Sequence, residues 1–172
     1  MPITPFHFGP GAAFKALAPG QVSFTVFAFS QCLIDLEPIS FWLFTGDPVH
    51  PYLHTYIGAL PVALASVWPG RRVSEWANRL WNSRLSAAQA RWLGVEPRIT
   101  LRQALAGAFL GAYSHVFIDS FMHDDMRPLA PFADGRLTGI IAIENLQWLC
   151  VAAAGAALLI FGVRARIRFL RT

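Results

Sequence analysis

One apolar run in this chain ends in residues that a membrane tolerates poorly. TLRQALAGAFL, from Thr100, reads as the start of a membrane helix, and GAYSHVFIDSFMHDD continues it from Gly111 to Asp125. The continuation carries His115, Asp119 and His123, then Asp124 and Asp125. An unpartnered ionisable group at bilayer depth is expensive, so such groups pair, bind an ion or line a wet cavity. On a helix, residues i, i+4 and i+8 share a face with a drift of about 40° per step. The spacing therefore predicts that His115, Asp119 and His123 project to one side of one helix.

Composition decides whether a bilayer is the right medium. Of the 172 residues, 55% are hydrophobic and 14% charged, and the mean hydropathy is +0.44. Soluble domains lie near 45–50% apolar and about 25% charged. Five apolar segments are legible: Gly11–Ala18, Val22–Ile34, His54–Trp68, Leu101–Met122 and Gly139–Val163. A shorter piece, Ile39–Phe44, ends at the turn signal Thr45-Gly46-Asp47-Pro48, and Pro69-Gly70 is expected to stop the third segment. Lys15 is the only early cation, so no secretory n-region is present and the first segments are expected to belong to the mature chain. The fold class expected is all-α. It is a polytopic membrane helical bundle of about four to five segments, forming a single integral-membrane domain over 1–172.

The formal charge is +4, and its distribution says more than its size. Arg71, Arg72, Arg79, Arg84, Arg91, Arg98 and Arg102 fill the middle loop, and Arg164, Arg166, Arg168 and Arg171 the tail. Arginines beside membrane segments fit the positive-inside rule, and no nucleic-acid reading motif accompanies them, so nucleic acid is not an expected partner. Loop and tail are thereby predicted cytoplasmic, with no specific dimer motif. Gly107-xxx-Gly111 is a small-xxx-small spacing that serves packing within or between chains. Within 71–98, apolar residues recur at Val73, Ala77, Leu80, Leu85, Ala88 and Trp92 among the arginines. That pattern predicts an amphipathic helix on the membrane surface, with a helical hairpin packed on the protein as the alternative. Cys32 and Cys150 sit singly in apolar runs and are expected as small buried hydrophobes.

This topology predicts depth. At 1.5 Å per residue, Arg102 to His115 rises roughly 20 Å, Arg71 back to His54 roughly 25 Å, and the Pro19-Gly20 turn to Asp35 roughly 22 Å, in a hydrocarbon core of about 30 Å. Three segments thus bring polar residues to one height, toward the outer face. If the first segment descends and the second ascends as a re-entrant hairpin, His7 joins them; a cytoplasmic N-terminus would leave His7 far from the other histidines. His50 and His54 form H-x-x-x-H before the third segment, and Asp35 and Glu37 form D-x-E after the second. Nitrogen-plus-carboxylate sets of this kind suit zinc, with manganese, iron or nickel as further choices. The first ligands expected are His115, Asp119, His54 and Asp35. His7, His50 and His123 follow, with room for one or two ions. Glu37, Asp124 and Asp125 are candidates for orienting ligands or for a catalytic base, with Glu37 and Asp124 foremost as bases. Asp47 and Asp134 read as solvated loop acids, and Glu144 as helix-entry polarity.

Several of these motifs together resemble a known family. T-P-F-H at the start, D-x-E, H-x-x-x-H, and above all Gly111-to-His123 followed by R-P-L-A-P-F, resemble bacterial inner-membrane proteins described as membrane-bound metal-dependent hydrolases. In motif style that family is related to helical zinc-dependent phospholipases C. The resemblance covers most of the chain and matches His7, Asp35, His50 and His54 to the family's early histidine, its acid and its next histidines. Where the family often has P-D-x-D and H-R-x-x-x-H, this chain has Ile34-Asp35-Leu36-Glu37 and His50-Pro51-Tyr52-Leu53-His54.

The function expected is a metal-dependent hydrolase acting on a lipid or lipid-linked ester, most simply a phosphoester, through a metal-activated water. No G-x-S-x-G motif points to a serine nucleophile instead. Two alternatives stay open. One is a transporter or channel for metal ions or protons; against it, Val62–Val67 and Ala104–Leu110 offer no second ligand station. The other is a non-catalytic membrane protein whose metal only staples short helices.

Overall fold

The computed structural model describes residues 5–46 and 49–170, with side chains to residue 167. Asp47, Thr4 of the T-P-F-H motif, and Arg168 and Arg171 of the basic tail lie outside those limits. Among the described residues the chain is helical, with no strand.

A single 3₁₀ turn, Pro5–His7, leads into α1, Phe8–Leu17. The next helix, α2 (Phe24–Ile34), starts where Ser23 Oγ accepts from the Val26 N–H, filling one of the open donors of a helix N-terminus. It ends at Asp35, and α3 (Leu36–Phe44) begins at once. Pro38 explains the joint. It has no N–H to give the Ile34 carbonyl, so the ladder breaks there, whereas at the third position of a new helix that N–H is not needed.

Thr55 caps α4, Tyr56–Ala65. The expected stop at Pro69-Gly70 does not occur. A π turn, Ser66–Gly70, carries the chain directly into α5, Arg71–Ser83. A turn with i→i+5 bonds absorbs the missing N–H of Pro69 without ending the helix.

The Arg-rich region is two helices, not one. After α5 the chain turns at Arg84, Ser86 forms a capping box with Gln89, and α6 runs Ala87–Leu93. The hairpin is tied across by Trp81 Nε1 donating to the Leu93 carbonyl and by Asn82 bonding both Val95 groups. The alternative reading of 71–98 as a helical hairpin is therefore the observed one. Its faces are inverted relative to a soluble helix: Ser74 and Asn78 are buried, while Val73, Trp76 and Leu80 are exposed.

Thr100 and Gln103 form a second capping box at the start of α7, Leu101–Asp119, and α8 spans Ile143–Leu170. The α7 helix stops at Asp119, three residues short of the apolar segment's end at Met122. His123 therefore does not extend the His115–Asp119 face; it stands in the following turn, where its N–H bonds the Asp119 carbonyl.

Packing divides the helices into two groups. The α2 and α7 pair comes together at glycines: a Cβ on Gly107 would meet the Ser23 carbonyl, and one on Gly111 would meet Ser30 Oγ and the Phe27 backbone. The small-xxx-small spacing is thus used within the chain. With α4 these helices enclose Val26, Ile34, Val62, Ala108, Ala112 and Val116. In the second group α1 lies on α8, with Gly9 against the Cys150 carbonyl. Cys150 is buried as expected, but Cys32 is exposed on the outer flank of α2.

Two helical stretches, Phe24–Phe44 and Ile143–Ile167, are long and apolar enough to cross a membrane. The segments of α1, α4 and α7 exist as helices but do not meet that measure. Only 11% of the most apolar window of Ile143–Ile167 is buried, and Leu158 and Leu159 are 72% and 73% exposed. A core helix of a water-soluble protein hides such residues; this one presents them outward.

Candidate metal centre

Each break described above delivers a polar side chain to one place. The 3₁₀ turn brings His7, the α2–α3 joint Asp35, the segment before the Thr55 cap His54, and the last turns of α7 His115 and Asp119. All five are buried, none more than 6% exposed. His7 thus stands with the other histidines, its ring edge-to-face with that of His115.

The ring nitrogens converge on Asp119. Its Oδ2 is 3.1 Å from His115 Nε2 and 3.7 Å from His54 Nε2, and its Oδ1 is 3.2 Å from His7 Nε2. Asp35 Oδ1 lies 3.3 Å from His115 Nε2. These separations are close, yet they are not hydrogen bonds. His7 Nε2, His54 Nε2, His115 Nε2 and Asp119 Oδ1 have no hydrogen-bond partner among the described residues. Four such orphans around one buried carboxylate would be costly if nothing joined them. Ligand atoms about 2.1 Å from one tetrahedral ion stand roughly 3.4 Å apart. The observed 3.1 to 3.7 Å between the ring nitrogens and the Asp119 oxygens matches that spacing, and the overlapping trios His7–His115–Asp119, Asp35–His54–His115 and His50–His54–Asp119 each bring ligand atoms close enough for a divalent ion.

The opposite side of the His54 and His115 rings is held by the protein, while His7 Nδ1 lies 3.3 Å from His115 Nδ1. His54 Nδ1 is 2.9 Å from Glu37 Oε2, whose carboxylate also accepts from the backbone N–H groups of Tyr52, Leu53 and His54. His115 Nδ1 contacts Gln31 Oε1, and Gln31 Nε2 donates to the Gly111 carbonyl, which fixes the amide's direction. With Nδ1 carrying the proton, Nε2 keeps its lone pair for a metal. Glu37 therefore orients His54; both its oxygens are occupied, and it is not placed as a free base. Gln31 was not among the candidates. Its signal was present, an amide in the middle of FTVFAFSQCLI, where a polar side chain needs a reason.

A second group borders the first. The His50 and His123 rings lie 4.4 Å apart and the His50 and His54 rings 4.7 Å apart. Both Asp125 oxygens reach His50 Nδ1, at 2.9 and 3.0 Å, and Oδ2 also accepts from the Val49 and His50 N–H groups. Burial pushes the His50 imidazole below its usual range, with neighbouring His54 acting the same way, against the pull of Asp125. Burial lowers His123 as well. Neutral rings are what metal binding needs. Burial opposes the Asp125 charge, but the His50 ring and two backbone N–H groups outweigh it and hold that carboxyl below the usual range.

Other candidates lie elsewhere. Asp124 is exposed, and its backbone carbonyl accepts from Arg136. Asp134 pairs with Arg127 and Arg136 in a surface loop, and Glu144 is exposed at the start of α8. The R-P-L-A-P-F stretch has a mechanical part: the buried Pro128 gives its carbonyl to the Tyr56 N–H, tying the loop after His123 to the start of α4.

Compared with protein-family models, curated proteins and solved structures, the chain has no match in any of the three.

Proposed function

We propose that this chain is a multi-pass inner-membrane hydrolase that uses a divalent metal, zinc first, to cleave a lipid or lipid-linked phosphoester. One observation carries the reading: three imidazole nitrogens, buried and without hydrogen bonds among the described residues, surround the Asp119 carboxylate at metal-ligand spacing, His7 at Oδ1 and His54 and His115 at Oδ2. The sets that would hold an ion here overlap: His7 with His115 and Asp119, Asp35 with His54 and His115, and His50 with His54 and Asp119. His50, His123 and Asp125 offer the place for a second ion, on the half-buried side from which a substrate would approach. A bound divalent ion supplies Lewis acidity and an activated water at neutral pH. The protein's own part is to fix the ligands. Glu37 and Gln31 set the proton positions of His54 and His115, and Asp125 does so for His50.

The membrane part of the proposal rests on the outward apolar surfaces of α8 and α5. With the Arg-rich hairpin and the tail cytoplasmic, α7 rises outward and the centre sits toward the outer face. The motif resemblance to membrane-bound metal-dependent hydrolases points the same way.

Burial also favours a second reading. A set in which no ligand is more than 6% exposed resembles a closed structural site, in which the ion staples α1, α2, α4 and α7. The deciding experiment is metal analysis of the purified protein beside His115→Ala and Asp119→Ala, followed by assay of phosphate and fatty-acid release from lipid extracts. Metal lost in both variants with lipid cleavage lost in parallel supports the hydrolase. Metal without cleavage leaves the staple, and a metal-free wild type rejects both.

A further inference from the structure

A cavity of about 560 Å³ lies far from the histidines. It is enclosed by the hairpin, the start of α2 and α7, and the later parts of α1 and α8. Gln103 on its wall and Asp119 at the centre are sixteen residues apart on one helix, so about 24 Å separates the two sites along α7. The volume falls in the range of roughly 300–1,000 Å³ that ligand sites occupy.

We propose that this cavity binds one anionic phospholipid, with an acyl chain inside and the phosphate at Lys15 and Arg98. The walls are predominantly apolar, with Phe24, Ile99 and Phe161 among the lining residues. Leu158 also lines it and is 72% exposed, so the cavity borders the outward apolar flank of α8. An acyl chain entering from that flank exchanges one apolar medium for another, whereas a soluble anion would have to cross it. Two cations face one acid at this site. Lys15 is half-buried, and its Nζ donates to the carbonyls of Pro19 and Val22, which aims the ammonium and leaves its third N–H for a ligand. Arg98 is exposed at the mouth and presents a fork suited to phosphate. The acid, Glu96, gives its backbone carbonyl to Asn78. Basic pockets between helices on the cytoplasmic side of a membrane are where anionic headgroups bind. The site rests on the membrane placement proposed above but not on the metal chemistry.

The test uses the full chain in detergent, titrated with phosphatidylglycerol or phosphatidylcholine and read by native mass spectrometry. One phosphatidylglycerol per chain should be retained, at least tenfold more tightly than phosphatidylcholine. Lys15→Gln with Arg98→Gln should erase that preference, and Ala165→Trp, which fills the cavity, should remove the bound lipid. Equal retention of the two lipids by the wild type overturns the proposal. So does undiminished retention in Ala165→Trp; should that variant fail to fold, the charge variant decides alone. Metal content of the same samples reports on the centre separately, so loss of one reading leaves the other standing.

Discussion

Glu37 Oε2 stands 2.9 Å from His54 Nδ1, and every other acceptor direction of that carboxylate is taken by backbone N–H groups of residues 52–54. A carboxylate so engaged holds a ring; it does not collect protons from a substrate. Glu37→Gln should lower metal affinity about 10- to 100-fold, the usual loss when such an orienting partner is removed. Turnover of the metal-saturated variant should stay within a few-fold of wild type. Full metal affinity with abolished turnover would instead make Glu37 the base.

Gln31 does for His115 what Glu37 does for His54. Gln31→Leu removes the acceptor at Nδ1 and the donor to the Gly111 carbonyl together. Metal affinity is expected to fall by about the same 10- to 100-fold, measured by competition with a chromogenic chelator. An unchanged affinity would mean that the His115 ring is held by packing alone.

Metal should also stabilise the fold, because its ligands come from four separate stretches of chain. An ion present at 100 times its dissociation constant adds about 2.7 kcal/mol to a site that exists only when folded. Stripping with a chelator should therefore lower the thermal midpoint of the wild type and leave His115→Ala unaffected. Equal midpoints with and without chelator in the wild type count against the centre.

Gly111 lets α7 touch α2, where an added Cβ would strike Ser30 Oγ and the Phe27 backbone. Gly111→Val should cost about 1–3 kcal/mol or more by overpacking, and lower the metal content with it. A Cβ added at Gly155 on α8 would meet no other part of the described chain within 4 Å, so Gly155→Ala should be neutral or stabilising by up to about 1 kcal/mol. The pair of thermal midpoints tests whether the α2–α7 seam is as close as described.

Glu75 joins the hairpin to the start of α7. The Ile99 N–H and the Arg71 guanidinium, both bound to Oε1, hold its carboxyl below the usual range. A lowered carboxyl contributes stability that is fully present above its unfolded value, about 4.3, and is lost as pH falls through the folded value. Glu75→Gln should therefore melt lower than wild type at pH 7, by about 1 kcal/mol of stability. The gap should close below about pH 4. A gap independent of pH would assign the effect to shape and not to charge.

Much of this centre was legible because its residues are rare in an apolar chain. Five histidines and a few acids had to meet, and helix rise alone put Asp35, His54 and His115 at one height. What spacing did not reveal were the local stops. The i+8 relation of His115 to His123 assumed a helix through Met122, but the helix ends at Asp119, and His123 reaches His50 through a turn. Pro69-Gly70 reads as a terminator in sequence, yet a π turn tolerates both residues. In 71–98 the apolar period was right, but Ser86 with Gln89 starts a second helix that the period cannot announce. Gln31 escaped notice because an amide carries no charge and is not itself among the histidines and acids that signal a metal site.

The π turn has a mechanical meaning. Because Ser66–Gly70 joins α4 to α5 without a loop, the chain after His54 runs as one helical path into the arginine hairpin. That path carries two prolines, Pro61 and Pro69, so the places where it can bend are fixed by the sequence.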